Sequence, residues 1–154
     1  MTRNLWTRAL WGGVIGTVAQ DVLLLIGRGA GWVQTNMLSA LARLFTTQAV
    51  STTPSGQILG FVVHILIGAL LAIIFAAITR ALHSRHNLIG GVIYGLLIWL
   101  AWGALSAPSG LASAPWSLGT PTTLFTLAGS LAYGLILGYA VSEESVREAN
   151  RERS

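Results

Sequence analysis

The chain has no cysteine and no lysine, and only 9% of its 154 residues are charged. Without cysteine it can form no disulfide, hold no Cys-ligated cluster and perform no thiol chemistry, and the redox compartment stays open. A soluble domain of this length carries about a quarter charged residues. Here none occurs over 44–79 or over 87–142. Both runs exceed the roughly 20 apolar residues that cross a bilayer, so the composition reads as an integral membrane protein whose first partner is lipid. A Ser/His/Asp set, paired carboxylates, a His-Glu-x-x-His motif and a phosphate loop are all missing. No catalytic residue and no metal site are therefore assigned, and the protein reads as a non-enzyme. The net charge of +4 comes from nine scattered arginines with no basic run interleaved with aromatics, which argues against nucleic acid.

What is present is apolar and small-residue-rich: 53% hydrophobic residues, 18 glycines and a mean hydropathy of +0.68. Four spans are expected, at about 6–26, 57–79, 88–106 and 122–142, within one domain over 1–142 followed by a charged tail over 143–154. In lipid each span must be helical, because only a helix or a closed barrel satisfies its own backbone, and strand-like alternation is missing. The expected fold is all-α, a four-helix membrane bundle. Met1-Thr2-Arg3 before an apolar stretch resembles a signal peptide, but it is read as a retained first span, with Trp6 and Trp11 suited to the interface.

After the first span, Gly27-Arg28-Gly29-Ala30-Gly31 reads as a flexible break. Over 32–45, Val33, Met37, Leu41 and Leu44 fall on one helical face and Asn36, Ser39 and Arg43 on the other. That pattern predicts an amphipathic helix, interfacial or folded back onto the bundle. With both termini cytoplasmic, seven of the nine arginines lie on that side, Arg28 and Arg43 being the exceptions, so the positive-inside rule places both ends in the cytoplasm. His83 and His86 read as solvated loop residues, Trp116 as an interfacial anchor, and Glu143 and Arg147 as an i,i+4 pair continuing the last helix.

The segment Gly-Gly-Val-Ile opens the first span at 12–15 and the third at 90–93. The returning spans also align, "HILIGALLA" over "SLAYGLILG", matching Gly68 to Gly134. Two hairpins related by an axis along the membrane normal would give this parallel pseudo-repeat; chance identity in so biased a composition is the other reading. Small residues recur at spacings of four or eight residues as Gly12/Gly16, Gly60/Gly68/Ala72/Ala76, Gly91/Gly95 and Gly134/Gly138. They serve either a tight internal bundle or a face left over for docking other membrane subunits or a second copy.

Asp21 is the only acidic residue before Glu143, and it falls inside a span. An ionisable group there costs at least about 2.5–3.5 kcal/mol on insertion scales, so it marks a site or a pair. His64 is expected at a similar depth and as its partner, with Gln20, Thr17 and Ser130 completing a small polar site. The pair either holds the first hairpin together or lies on a proton or solute path. His64 also admits a pigment reading: Gly60-x-x-x-His64-x-x-x-Gly68 clears space on both sides of an axial ligand for haem or chlorophyll.

"HILIG" at 64–68, "GGVIYGLLIWLAWGALSAPSG" at 90–110 and "LAYGLILG" at 131–138 resemble a family of small four-span bacterial inner-membrane proteins with no assigned activity. The resemblance implies a four-helix membrane fold. It also implies a second histidine in the last span, where this chain has Ser130, which speaks against a paired-histidine haem or metal site. The function expected from the whole is that of an accessory or assembly subunit packing within a larger membrane complex. A small transporter or channel centred on Asp21 and His64 is the first alternative, and pigment binding through His64 the second.

Overall fold

The computed structural model describes residues 2–82 and 87–151, with side chains over 4–82 and 87–142. His83, Arg85 and His86, and the side chains of Glu143 and Arg147, lie outside the described residues. The elements are α1 (Thr2–Gly29), α2 (Met37–Ala42), α3 (Gln48–Ser51), α4 (Pro54–Ala81), α5 (Asn87–Ser106), a 3₁₀ turn at Pro115–Ser117 and α6 (Thr120–Arg151). Among the described residues there is no strand. Four helices, α1, α4, α5 and α6, are long and apolar enough to cross a membrane. Each overruns the span expected from hydropathy, because a helix continues until capping or a turn residue stops it, whatever the polarity of its last turn. At the start of α4, for example, the Thr53 hydroxyl accepts from the Gly56 N–H at 3.3 Å and Pro54 takes a first-turn position.

The four long helices form an arc in the order α4–α1–α6–α5. Contacts pair residues 13, 17 and 21 with 72, 68 and 64, and residues 12, 16 and 27 with 140, 133 and 125. Thus α1 runs antiparallel to both α4 and α6, and α5 likewise to α6. The buried share of the apolar window is 44% for α1 and α6, 33% for α4 and 17% for α5, so α1 and α6 are the central pair and α5 the most peripheral.

Glycine lies at these crossings. A Cβ on Gly13 would meet the Gly68 carbonyl oxygen at 2.8 Å, and one on Gly91 would strike the Gly134 carbonyl. Helices that close together lie backbone on backbone, which only small residues permit. Both crossings join the residues that the two-hairpin alignment matches, Gly13 with Gly91 and Gly68 with Gly134. The two hairpins therefore cross at equivalent points.

One difference between the aligned hairpins changes the packing. In the aligned copies "GGVIG" and "GGVIY", Tyr94 stands where the first hairpin has Gly16. Gly16 lets α1 lie on Tyr133 of α6. Tyr94 instead stacks on Phe75 of α4 at 5.1 Å and donates its hydroxyl to the Leu71 carbonyl at 2.9 Å. A phenol ring stands on α5 where the equivalent position of α1 carries no side chain, and α5 and α4 stay apart.

Segment 30–53 folds over one end of the bundle. The helix expected over 32–45 is only six residues long, Met37–Ala42, because Asn36 caps it by accepting from the Ser39 N–H at 3.1 Å. Residues 32–36 before it have no regular secondary structure and are pinned to α6 where Thr122 donates to the Trp32 carbonyl and accepts from the Gln34 N–H. The polar face expected of Ser39 is also corrected: Ser39 is buried, hydrogen-bonded to Ser51 at 3.0 Å, whereas Leu44 is 49% exposed. The reason is Gly60, whose bare backbone lies against Leu38 and draws α2 onto α4 by a face that hydropathy alone does not select.

Replacing Gly134 by leucine should drive α5 off α6 and lower the thermal midpoint in detergent, with a destabilisation of at least about 1–3 kcal/mol. Exposed Leu97→Val on α5 should leave the midpoint nearly unchanged in the same melt.

Candidate polar site and cavity

Residues 13, 17 and 21 of α1 are one turn apart along one face, opposite 72, 68 and 64 of α4. The first two steps bring glycine or small residues together. The third brings Asp21 to His64: Asp21 Oδ1 and His64 Nδ1 are 2.8 Å apart, with 3% and 8% of the two residues exposed. The other carboxyl oxygen of Asp21, Oδ2, is buried without a hydrogen-bond partner. Among the described residues no third His, Asp or Glu joins them to make a metal-binding group.

The hydrogen bond between Oδ1 and Nδ1 shares one proton between the two groups, and this pairing lowers the cost of holding them in an apolar span. The far nitrogen, Nε2, has no protein hydrogen-bond partner among the described residues and is not sealed from access. It donates or accepts according to the tautomer.

The remaining residues expected at the site gather nearby. Gln20 Nε2 donates to Ser130 Oγ at 3.3 Å, joining α1 to α6, and the Thr17 hydroxyl donates to the Gly13 carbonyl at 2.8 Å. Thr17, Gln20, His64 and Ser130 border one cavity of about 200 Å³; Asp21 stands behind His64 and does not reach it. The wall is otherwise mostly apolar, with Leu24, Met37, Leu41, Ile67, Ile98 and Trp102 among its residues.

Sequence reasoning missed several groups here. Trp99 donates its indole N–H to Thr126 at 3.0 Å and lies edge-on to Trp116 at 5.3 Å. Tyr133 donates to the Gly68 carbonyl at 2.6 Å, tying α6 to α4 across α1. The spacing Gly91-x-x-x-Gly95-x-x-x-Trp99-x-x-x-Gly103 places Trp99 on the face that meets α6, a signal present in the sequence.

Of the glycines in the pigment reading, Gly60 has the Leu38 backbone against it and Gly68 the Thr17 hydroxyl. The other small-residue faces are likewise used inside the bundle: Gly12 meets Ala140, Gly95 meets Ser130 and Gly138 meets Asn87.

The model of a family of unknown function, DUF6789, matches residues 4–151. The chain belongs to that family. Neither a curated protein nor a solved structure matches it. For this DUF6789 member the chemistry of the site therefore rests on its own geometry.

His64→Leu should leave the Asp21 carboxyl alone among apolar groups and destabilise the bundle by about 3–5 kcal/mol. The double variant Asp21→Leu/His64→Leu should recover most of that loss. Unfolding in mixed micelles reads both, and an additive pair of effects would show that the two side chains do not interact.

Proposed function

We propose that this is a non-catalytic integral membrane protein of the bacterial inner membrane, with both termini cytoplasmic, that takes up a small apolar or amphiphilic molecule at the Asp21–His64 centre. The supporting observation is the cavity of about 200 Å³ against which His64 stands. Small-molecule sites are concave and mostly apolar, with a few polar groups that orient the ligand, and this wall has that character. It narrows the transporter-or-channel reading: a hydrated ion requires polar lining, whereas an apolar molecule does not.

A second reading keeps the accessory subunit. The glycines that first suggested docking are engaged within the chain, so its support shifts to α5. This helix packs almost wholly on α6 and leaves Ile89, Val92, Ile93, Leu96, Leu97 and Leu100 uncovered. Lipid, a second copy or another membrane subunit can cover such a face.

One measurement separates the readings: native mass spectrometry of the particle extracted from its own membrane in mild detergent. A 16.3 kDa chain, or a small homo-oligomer, carrying a small molecule is the expected result. That molecule should be lost from Leu105→Trp, which adds bulk to the cavity wall without touching the helix crossings. A particle containing other polypeptides and no small molecule would favour the subunit instead.

A further inference from the structure

We infer that the cavity receives the head of a lipid-borne carbonyl compound, a ring of the benzoquinone type, which enters sideways between α4 and α5. This rests on the ligand-binding reading above and specifies its ligand.

Hydrogen-bond supply carries the first part. Around the cavity the hydroxyl hydrogens of Thr17, Thr126 and Tyr133 are donated to the carbonyls of Gly13, Thr122 and Gly68. The Trp99 N–H is donated to Thr126. The hydroxyl hydrogen of Ser130, whose oxygen accepts from Gln20, is left to be donated, as are the Thr35 hydroxyl and the Trp102 indole N–H on the wall, and His64 Nε2 stands beside them without a protein partner among the described residues. A ligand that brings acceptors on an apolar body satisfies these donors, and carbonyl oxygens are such acceptors.

Size and shape carry the second. About 200 Å³ is somewhat larger than the roughly 150 Å³ apolar cavity known to hold a benzene ring, so one substituted six-membered ring fits. Trp99 and Trp102 on the wall offer flat aromatic surface to such a ring.

Access carries the third. Phe75, Tyr94 and Leu71 join α4 to α5, and beyond this contact the helices part. Ala101 and Leu105 line the cavity and are also exposed on the outside of the bundle, Leu105 to 71%. The cavity mouth therefore lies on the apolar flank of the bundle, where a hydrocarbon substituent on the ring can remain in lipid.

The test uses the full chain in phosphatidylcholine nanodiscs, with 2-decyl-1,4-benzoquinone and decylbenzene as probes, each counted per chain above protein-free discs. The quinone should saturate at one per chain and bind at least tenfold more tightly than decylbenzene. Ala101→Trp, which narrows the mouth away from the helix crossings, should weaken it at least tenfold. His64→Leu should reduce the quinone to the level of decylbenzene, and where that variant does not assemble the comparison of the two probes decides the carbonyl alone. Equal saturable binding of both probes would overturn the carbonyl assignment and leave the cavity reading standing. No saturable binding of either would overturn both. Tight quinone binding unchanged by Ala101→Trp would overturn the sideways entry.

Discussion

Where α5 crosses α6 and α1 crosses α4, no side chain separates the two backbones, and the rest of the molecule follows from that closeness. Burying leucine against leucine yields little in a lipid-like surrounding, since lipid tails are as apolar as the side chains; backbone approach and internal hydrogen bonds hold the helices instead. Glycine at 13, 68, 91 and 134 provides the approach. Hydrogen bonds then form along the same faces, Asp21 with His64 and Trp99 with Thr126, and Tyr133 ties α6 to the crossing itself through the Gly68 carbonyl.

The cavity is the complement of this packing. Three helix pairs in the arc close on small residues, and the fourth is held open by one aromatic ring. Tyr94 in the position of Gly16 turns a potential contact between α4 and α5 into a gap, and segment 30–53 covers its end with Thr35, Met37 and Leu41 on the wall. The cavity thus opens where the two hairpins differ, next to the one ionisable pair described within the spans.

Beside that gap the acidic group of the first span is paired. Asp21 cannot stand alone in an apolar span, and His64 removes the need for it to do so by hydrogen-bonding to it. The imidazole that holds Asp21 also borders the cavity, so the stability and binding measurements report on the same ring.

Much of this was legible in the residues. Long uncharged runs dictated four apolar helices, and four-residue glycine spacing dictated which faces approach. One acidic side chain in a span demanded a partner, and depth arithmetic pointed to His64. Hydropathy could not define the ends of the helices or the face of segment 37–42, since capping by Asn36 and the bare backbone of Gly60 decided those locally. Nor could a linear pattern reveal that α1 and α6 are central, that Tyr94 holds α5 away from α4, or that Asp21 stands behind His64 and outside the cavity. Those depend on which helices become neighbours. In a chain whose spans are almost equally apolar, neighbour choice is set by the fit of small and large side chains across interfaces, a property of pairs of helices that no single stretch of sequence carries.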